Sequence, residues 1–137
     1  RHGIGRGFKV AKEEIAGLLV ALRVFIEKDI ESEMKQATKL LEIINKEIQS
    51  LNSDKITTVV KSPSNKEQYP TLDIHGENIN LFKLSNQLKT ADGLFLNETG
   101  LNQKFLTVHP MNLSNENIKK ISSALKASIK EFIKNGN

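Results

Sequence analysis

ITTVVKSPSNKEQYPTLDIH, residues 56–75, carries the clearest strand pattern in the chain. Its first five residues are all β-branched, which favours a strand, and serine, proline and asparagine at residues 62–65 then break the pattern. Between Tyr69 and His75 the apolar Leu72 and Ile74 alternate with polar residues, as in a strand with one buried face. We therefore predict an antiparallel pair of strands.

Helical patterns flank this pair of strands. Two helices are predicted before it, from Glu13 and from about Ser32. A helix capped by Asn80, strands at Leu94–Leu96 and Phe105–Val108, and a helix capped by Ser114 follow it. The order is helix, helix, strand, strand, helix, strand, strand, helix. It predicts an α+β fold, a mostly antiparallel sheet with helices on one face.

The first of these helices is unusually apolar. Ile15, Leu18, Leu19 and Leu22 follow the helical spacing, and small or branched apolar residues fill most of the other positions. Such a helix is expected to be buried nearly all round. Because so small a domain can hardly wrap it on every side, we interpret it as a docking helix that another domain or subunit covers in part.

The composition limits the classes of function. A chain of 137 residues has the size of one domain. It has no cysteine, which excludes disulfides and thiolate chemistry and favours a cytoplasmic location. One tyrosine, six phenylalanines and no tryptophan do not predict an aromatic platform for bases. The longest apolar run, Ile15–Leu22, is far shorter than the roughly 20 residues that span a bilayer, so no membrane partner is expected.

The N-terminal segment, residues 1–12, accounts for the whole net charge of +4. Arg1, Arg6, Lys9 and Lys12 precede the first acidic residue, and the rest of the chain carries 16 basic and 16 acidic side chains. Glycines at positions 3, 5 and 7 allow close approach to a ligand, and a helix N-terminus follows them. We predict that Arg6 and Lys9 bind a phosphate or carboxylate, with Lys12 as a supporting charge. A solvated basic tail is the alternative.

The chain lacks the usual signs of a metal or catalytic centre. His2, His75 and His109 are isolated in the sequence, and no pair has metal-ligand spacing. A dinucleotide-binding GxGxxG motif would need glycine where Phe8 stands, and no P-loop is present. No nucleophile and base stand in a recognisable order. We therefore predict neither a metal site nor a catalytic residue within these residues.

One segment carries a family resemblance. GRGFKVAKEEI, residues 5–15, followed by Gly17-Leu18-Leu19, resembles the junction before the small C-terminal domain in pyridoxal-phosphate enzymes related to selenocysteine synthase, L-seryl-tRNA(Sec) selenium transferase. The D-glucosaminate-6-phosphate ammonia-lyase branch is more similar, with the usual form Gly-Arg-x-Met/Phe-Lys-Val-Gly-Lys-Glu-Glu. Ala11 replaces a glycine of that form. The specific likeness lies in residues 5–19, and beyond them only the order of elements matches.

The resemblance implies an architecture and a cofactor. It implies the small C-terminal domain of the fold type I, aspartate-aminotransferase-like transferases, with residues 1–12 as a glycine-rich basic linker and residues 13–137 as the domain. Pyridoxal 5'-phosphate and its Schiff-base lysine would belong to a large domain upstream of Arg1. In the selenocysteine synthase branch two arginines of an Arg-x-x-Arg-Val-x-Lys pattern fall on Arg6 and Lys9. Both would then line the anionic group of the substrate.

The implied activity is that of a lyase or transferase. The ammonia-lyase branch performs α,β-elimination and deamination of a β-hydroxy amino acid, so a small anionic amino acid is the expected substrate. The expected partners are the large domain of the same polypeptide and, in a homodimer or higher homo-oligomer, other copies. This chain alone is then expected to be inactive, and nucleic acid is not an expected partner. A stand-alone α+β module that binds a phosphate ligand or RNA is the alternative function.

Overall fold

The computed structural model describes residues 11–63 and 68–135. The chain divides into two units, residues 1–31 and 32–137. Helix α1 (Lys12–Glu27) belongs to the first unit, whereas helix α2 (Ile30–Gln49) begins at its end and continues into the second. Arg6 and Lys9 lie outside the described residues. None of the helices in the described ranges is long and apolar enough to cross a membrane.

Helix α1 is exposed along its whole length. The sequence predicts burial nearly all round, but none of its 16 residues is buried, and its large apolar side chains are 47% to 79% exposed. At its start the Glu14 carboxylate accepts a hydrogen bond from the Ala11 backbone N–H at 3.2 Å. At its end Lys28 takes an extended conformation. The helix forms as predicted, and its role as a docking helix stays a prediction.

The sheet in the second unit has three antiparallel strands in the order β1-β2-β3. They are β1 (Ile56–Lys61), β2 (Thr71–Gly76) and β3 (Phe105–Val108). This confirms the predicted antiparallel pair and the third strand. In the register Val59 lies opposite Asp73, and Asp73 lies opposite Thr107. Because side chains alternate, these three share the face opposite the core.

The helices of this unit pack on the other face of the sheet. Leu41 and Ile44 of α2, Leu84 of α3 (Leu81–Gln87) and Ile129 of α4 (Ile118–Asn135) are at most 1% exposed, in one cluster with Leu72, Ile74 and Leu106 of the sheet. The Thr58 hydroxyl also donates a hydrogen bond to the Asn45 side-chain oxygen of α2. The unit is therefore an α+β domain, as predicted.

Two contacts join α2 to α4 and to the turn just before it. Gln36 Nε2 donates to Asn115 Oδ1 at 2.8 Å, and Lys126 Nζ lies 2.9 Å from Glu47 Oε2. Both contacts join residues 79 positions apart, so the two helices run in the same direction. The two helices are therefore parallel neighbours.

One predicted strand is wrong. Leu94–Leu96 does not form a strand, and only the following residue, Asn97, pairs with Thr107 as an isolated bridge. Gly93 turns the chain with a φ of 64°, and the Leu94 N–H donates to the Leu88 carbonyl at 3.0 Å. This backbone bond keeps Leu94 at the end of the preceding helical turn and away from β3.

The last helix begins later than the sequence suggested. Ser114 and Asn117 bond reciprocally, since the Ser114 N–H donates to Asn117 Oδ1 at 2.8 Å and the Asn117 N–H donates to Ser114 Oγ at 3.3 Å. This turn leads into the regular helix, which starts at Ile118. Ser114 therefore caps the entry turn, and Asn80 caps α3 as predicted, with its side chain accepting from the Lys83 N–H at 3.0 Å.

Candidate functional site

The residues predicted to bind an anion are not brought together within the described part of the chain. Arg6 and Lys9 lie outside it, and Lys12 is the exposed first residue of α1. Glu13 and Glu14 follow in the first turn of that helix, and their carboxylates disfavour a second anion at the same N-terminus. Any anion bound here would therefore depend on the basic side chains more than on the helix end.

A groove crosses one end of the sheet, where β1 and β3 end and β2 begins. It consists of two adjoining cavities of about 660 and 600 Å³, which share His109 and Met111. Lys61, Tyr69 and Thr71 line the first, whereas the second is mainly apolar. Phe95 and Met111 are 78% and 79% exposed, so the groove offers apolar contact as well as polar groups. We call it the strand-end groove.

A buried carboxylate contacts Lys61 and Thr107, which line the two cavities of this groove. Asp73 is only 2% exposed, and its Oδ1 accepts a hydrogen bond from Thr107 Oγ1 at 2.6 Å. Its Oδ2 lies 2.5 Å from Lys61 Nζ, and this charge contact is its compensation because no hydrogen bond of good geometry reaches that atom from the described residues. The Lys61 ammonium also lies 5.0 Å from the centre of the Phe105 ring. The carboxylate thus neutralises the cation of the groove.

The other polar groups of the strand-end groove are also engaged. Asn97 Nδ2 lies 3.1 Å from His109 Nε2, within hydrogen-bond distance. The Tyr69 hydroxyl donates to Glu33 Oε2 at 2.9 Å.

The groove has the features of a binding surface, with exposed apolar side chains beside polar ones. Among residues 11–63 and 68–135, no group of three histidine, aspartate or glutamate side chains could hold a metal ion.

A second polar cluster ties α3 to the loop before β3. Glu98 Oε1 accepts hydrogen bonds from Lys89 Nζ at 2.5 Å and from Ser85 Oγ at 2.6 Å. These bonds, that from Lys89 foremost, lower the pKa of Glu98 below its usual value. Ser85 is 1% exposed, whereas the Lys89 and Glu98 side chains are 27% and 32% exposed. We conclude that it stabilises the fold.

The described lysines lie either in ion pairs or at the surface. A Schiff-base lysine needs a desolvated pocket or a cationic neighbour that lowers its pKa. Lys61, Lys89 and Lys126 instead lie 2.5 to 2.9 Å from carboxylate oxygens, and every other described lysine is exposed. The expectation that the Schiff-base lysine lies upstream of this chain stays a prediction.

Sequence reasoning missed the burial of Asp73. The alternation in residues 71–75 correctly placed it opposite Leu72 and Ile74, on the side that usually faces solvent. Its burial depends on Lys61 and Thr107, which lie on the two neighbouring strands. The only available signal was an acidic residue at the centre of a strongly patterned strand.

Comparison with known proteins does not identify a family. Neither a scan against protein-family models nor a search of curated proteins gives a match to this chain. The resemblance in residues 5–19 therefore remains a hypothesis.

Proposed function

We propose that this chain is the C-terminal domain of a pyridoxal-phosphate-dependent lyase or transferase, most similar to D-glucosaminate-6-phosphate ammonia-lyase. In this proposal Arg6 and Lys9 bind the anionic group of an amino-acid substrate. The cofactor belongs to a domain upstream of Arg1, and we derive no chemical step through it from these residues. In this proposal the described residues contribute the apolar helix α1, which packs against the upstream domain.

The observation that carries the proposal is the motif in residues 5–19 together with the helix into which it leads. Helix α1 has eight large apolar residues that are 47% or more exposed, and the Arg23–Glu27 ion pair is the main polar feature along its length. A helix that is apolar nearly all round is normally buried, and an exposed apolar surface of this kind marks an interface. A large domain placed directly before it supplies such a cover.

The two sides of α1 favour a large partner over a single second helix. Phe25, Leu18 and Leu22 lie on one side, whereas Gly17 and Ala21 give the adjacent side a smooth surface. No atom of residues 11–63 or 68–135 is recorded within 4 Å of where a side chain on Gly17 would begin. One paired helix would cover only one of these sides, whereas a domain surface covers both.

Reading the gene upstream of the Arg1 codon tests the proposal most cheaply. We expect the open reading frame to continue for some 200 residues or more, enough for a separate domain. It should include a lysine that can form the Schiff base. A start codon at or just before Arg1 would refute the proposal.

Arg6→Ala in the complete enzyme tests the role of the motif. The loss of a charged hydrogen bond should weaken substrate binding by about 1.5 to 3 kcal/mol. This corresponds to a rise in KM of about 10- to 150-fold, measured by steady-state kinetics with D-glucosaminate 6-phosphate. Arg1→Ala is the matched control, because it removes the same side chain outside the motif, and it should leave KM nearly unchanged. Equal kinetics for Arg6→Ala and wild type would remove Arg6 from the site.

A further inference from the structure

Helix α4 presents all its lysines on one face. It carries five lysines and a single acidic residue, Glu131. At about 100° per residue, the lysines fall within about 120° of the helix circumference. The opposite face is part of the core, with Leu125 and Ile129 at most 1% exposed. We call this set the lysine stripe: Lys119, Lys120, Lys126, Lys130 and Lys134.

Most of the lysine stripe has no charge partner. Lys126 is paired with Glu47, but the other four lysines are exposed and make no ion pair within the described part of the chain. Lys126, Lys130 and Lys134 follow one another at intervals of four, and each such like-charge pair costs about 0.2–0.5 kcal/mol. A solvated helix face usually mixes both signs, as α2 does. This repulsion therefore needs an explanation beyond solubility.

The stripe also dominates the charge of its unit. Residues 32–137 contain 14 basic and 11 acidic side chains, a net charge of +3. Helix α4 alone carries +4, so the remainder of the unit is slightly acidic. A localised positive field of this kind attracts a polyanion to one side of the molecule.

We propose that the lysine stripe binds the phosphate backbone of nucleic acid. This inference goes beyond the proposed enzyme function and does not depend on it. Lysine acts as a point charge on phosphate, whereas paired recognition of carboxylates favours arginine, which the stripe lacks. The apolar face of α4 is buried in the core, so the helix cannot insert into a membrane. Backbone contact requires no aromatic platform, and it carries no sequence specificity.

Fluorescence anisotropy with a short labelled DNA duplex and a short labelled RNA strand tests the inference on the full chain. Lys119→Gln, Lys130→Gln and Lys134→Gln are combined in one variant. Each phosphate contact contributes about 0.9 to the slope of log affinity against log salt on duplex DNA, so the slope should fall by about 2 to 3. Affinity at low salt should fall by at least about tenfold. The corresponding lysine-to-arginine variant should keep wild-type affinity, which separates a loss of charge from a loss of folding.

Two control variants carry the same change in charge. Lys55→Gln, Lys83→Gln and Lys104→Gln remove three exposed lysines outside α4, and Arg6→Gln, Lys9→Gln and Lys12→Gln remove the N-terminal cluster. We expect both control variants to bind the labelled nucleic acids far more tightly than the α4 variant does. The inference is overturned if wild type does not bind, if either control loses as much affinity, or if phosphatidylserine vesicles bind the stripe and the nucleic acids do not.

Discussion

Asp73 shows how a single residue can connect three strands. Its carboxylate lies opposite the helical core, yet Lys61 from β1 and Thr107 from β3 both contact it. Half of the Lys61 side chain is exposed, at 53%, while Asp73 is almost fully buried. Loss of Lys61 would therefore leave a buried carboxylate without its cation, whereas loss of the Asp73 charge would leave a lysine that water reaches.

Lys61→Met should destabilise the protein more than Asp73→Asn. Methionine keeps the apolar stem but leaves a buried carboxylate with one hydrogen bond, which costs about 1–3 kcal/mol. Asparagine preserves the acceptor for Thr107 and leaves an ammonium that water can solvate, so its cost is about 0.5–1.5 kcal/mol. Free energies of unfolding in urea measure both. The reverse order would show that water reaches the Asp73 carboxylate in solution.

Glu98 should make stability depend on pH. Its pKa is lowered in the folded protein, so its contribution is present above the unfolded value near 4.5 and is lost as pH falls through the lower, folded value. Glu98→Gln should therefore lower the melting temperature at pH 7, and the difference from wild type should shrink in acid. Glu42→Gln, an exposed residue of α2 without an ion pair in the described ranges, is the control. A constant difference for Glu98→Gln would exclude the ionic origin.

At the scale of the elements, α1 and α2 differ in how far their leucine side chains are exposed. Leu19 of α1 is 62% exposed, whereas Leu41 of α2 is completely buried. Both helices have apolar positions at helical spacing, but only α2 has a polar face opposite its apolar one. One sheet can bury the single apolar face of an amphipathic helix such as α2, but it cannot bury the apolar residues that lie around most of α1.

Leu41→Ala should cost about 2–5 kcal/mol of stability, because it removes buried apolar surface and leaves a cavity. Leu19→Ala should change stability by less than about 0.5 kcal/mol, since its side chain is already in solvent. Chemical unfolding of the isolated chain measures both. A comparable loss for Leu19→Ala would mean that α1 is covered in solution.

At the scale of the whole molecule, local patterns predicted the elements well. The β-branched run at residues 56–60, the alternation around Leu72 and Ile74, and the cap at Asn80 are signals within a few residues, and the structure confirms each element they mark. Leu94–Leu96 has the composition of a strand, but its backbone path is set by Gly93 and Leu88. Composition alone could not reveal that path.

The candidate site was less predictable than the fold. The strand-end groove exists because β1 and β3 end where β2 begins, so His109 and Lys61 meet only after the sheet has formed. The lysine stripe could have been found from spacing alone, once α4 was known to bury its other face. Arg6 and Lys9 remain predictions, as does membership of the fold type I transferases.

The two edges of the sheet are not equivalent. The outer side of β3 is occupied, since Thr107 exchanges two backbone hydrogen bonds with Asn97 and the Phe105 N–H donates to the Gly100 carbonyl at 3.1 Å. No strand from the described residues pairs with the outer side of β1. A further strand could therefore join this sheet beside β1 but not beside β3. A fourth strand from a longer polypeptide, or from a misassembled neighbour, would be added beside β1, and charged or proline substitutions there would guard against aggregation.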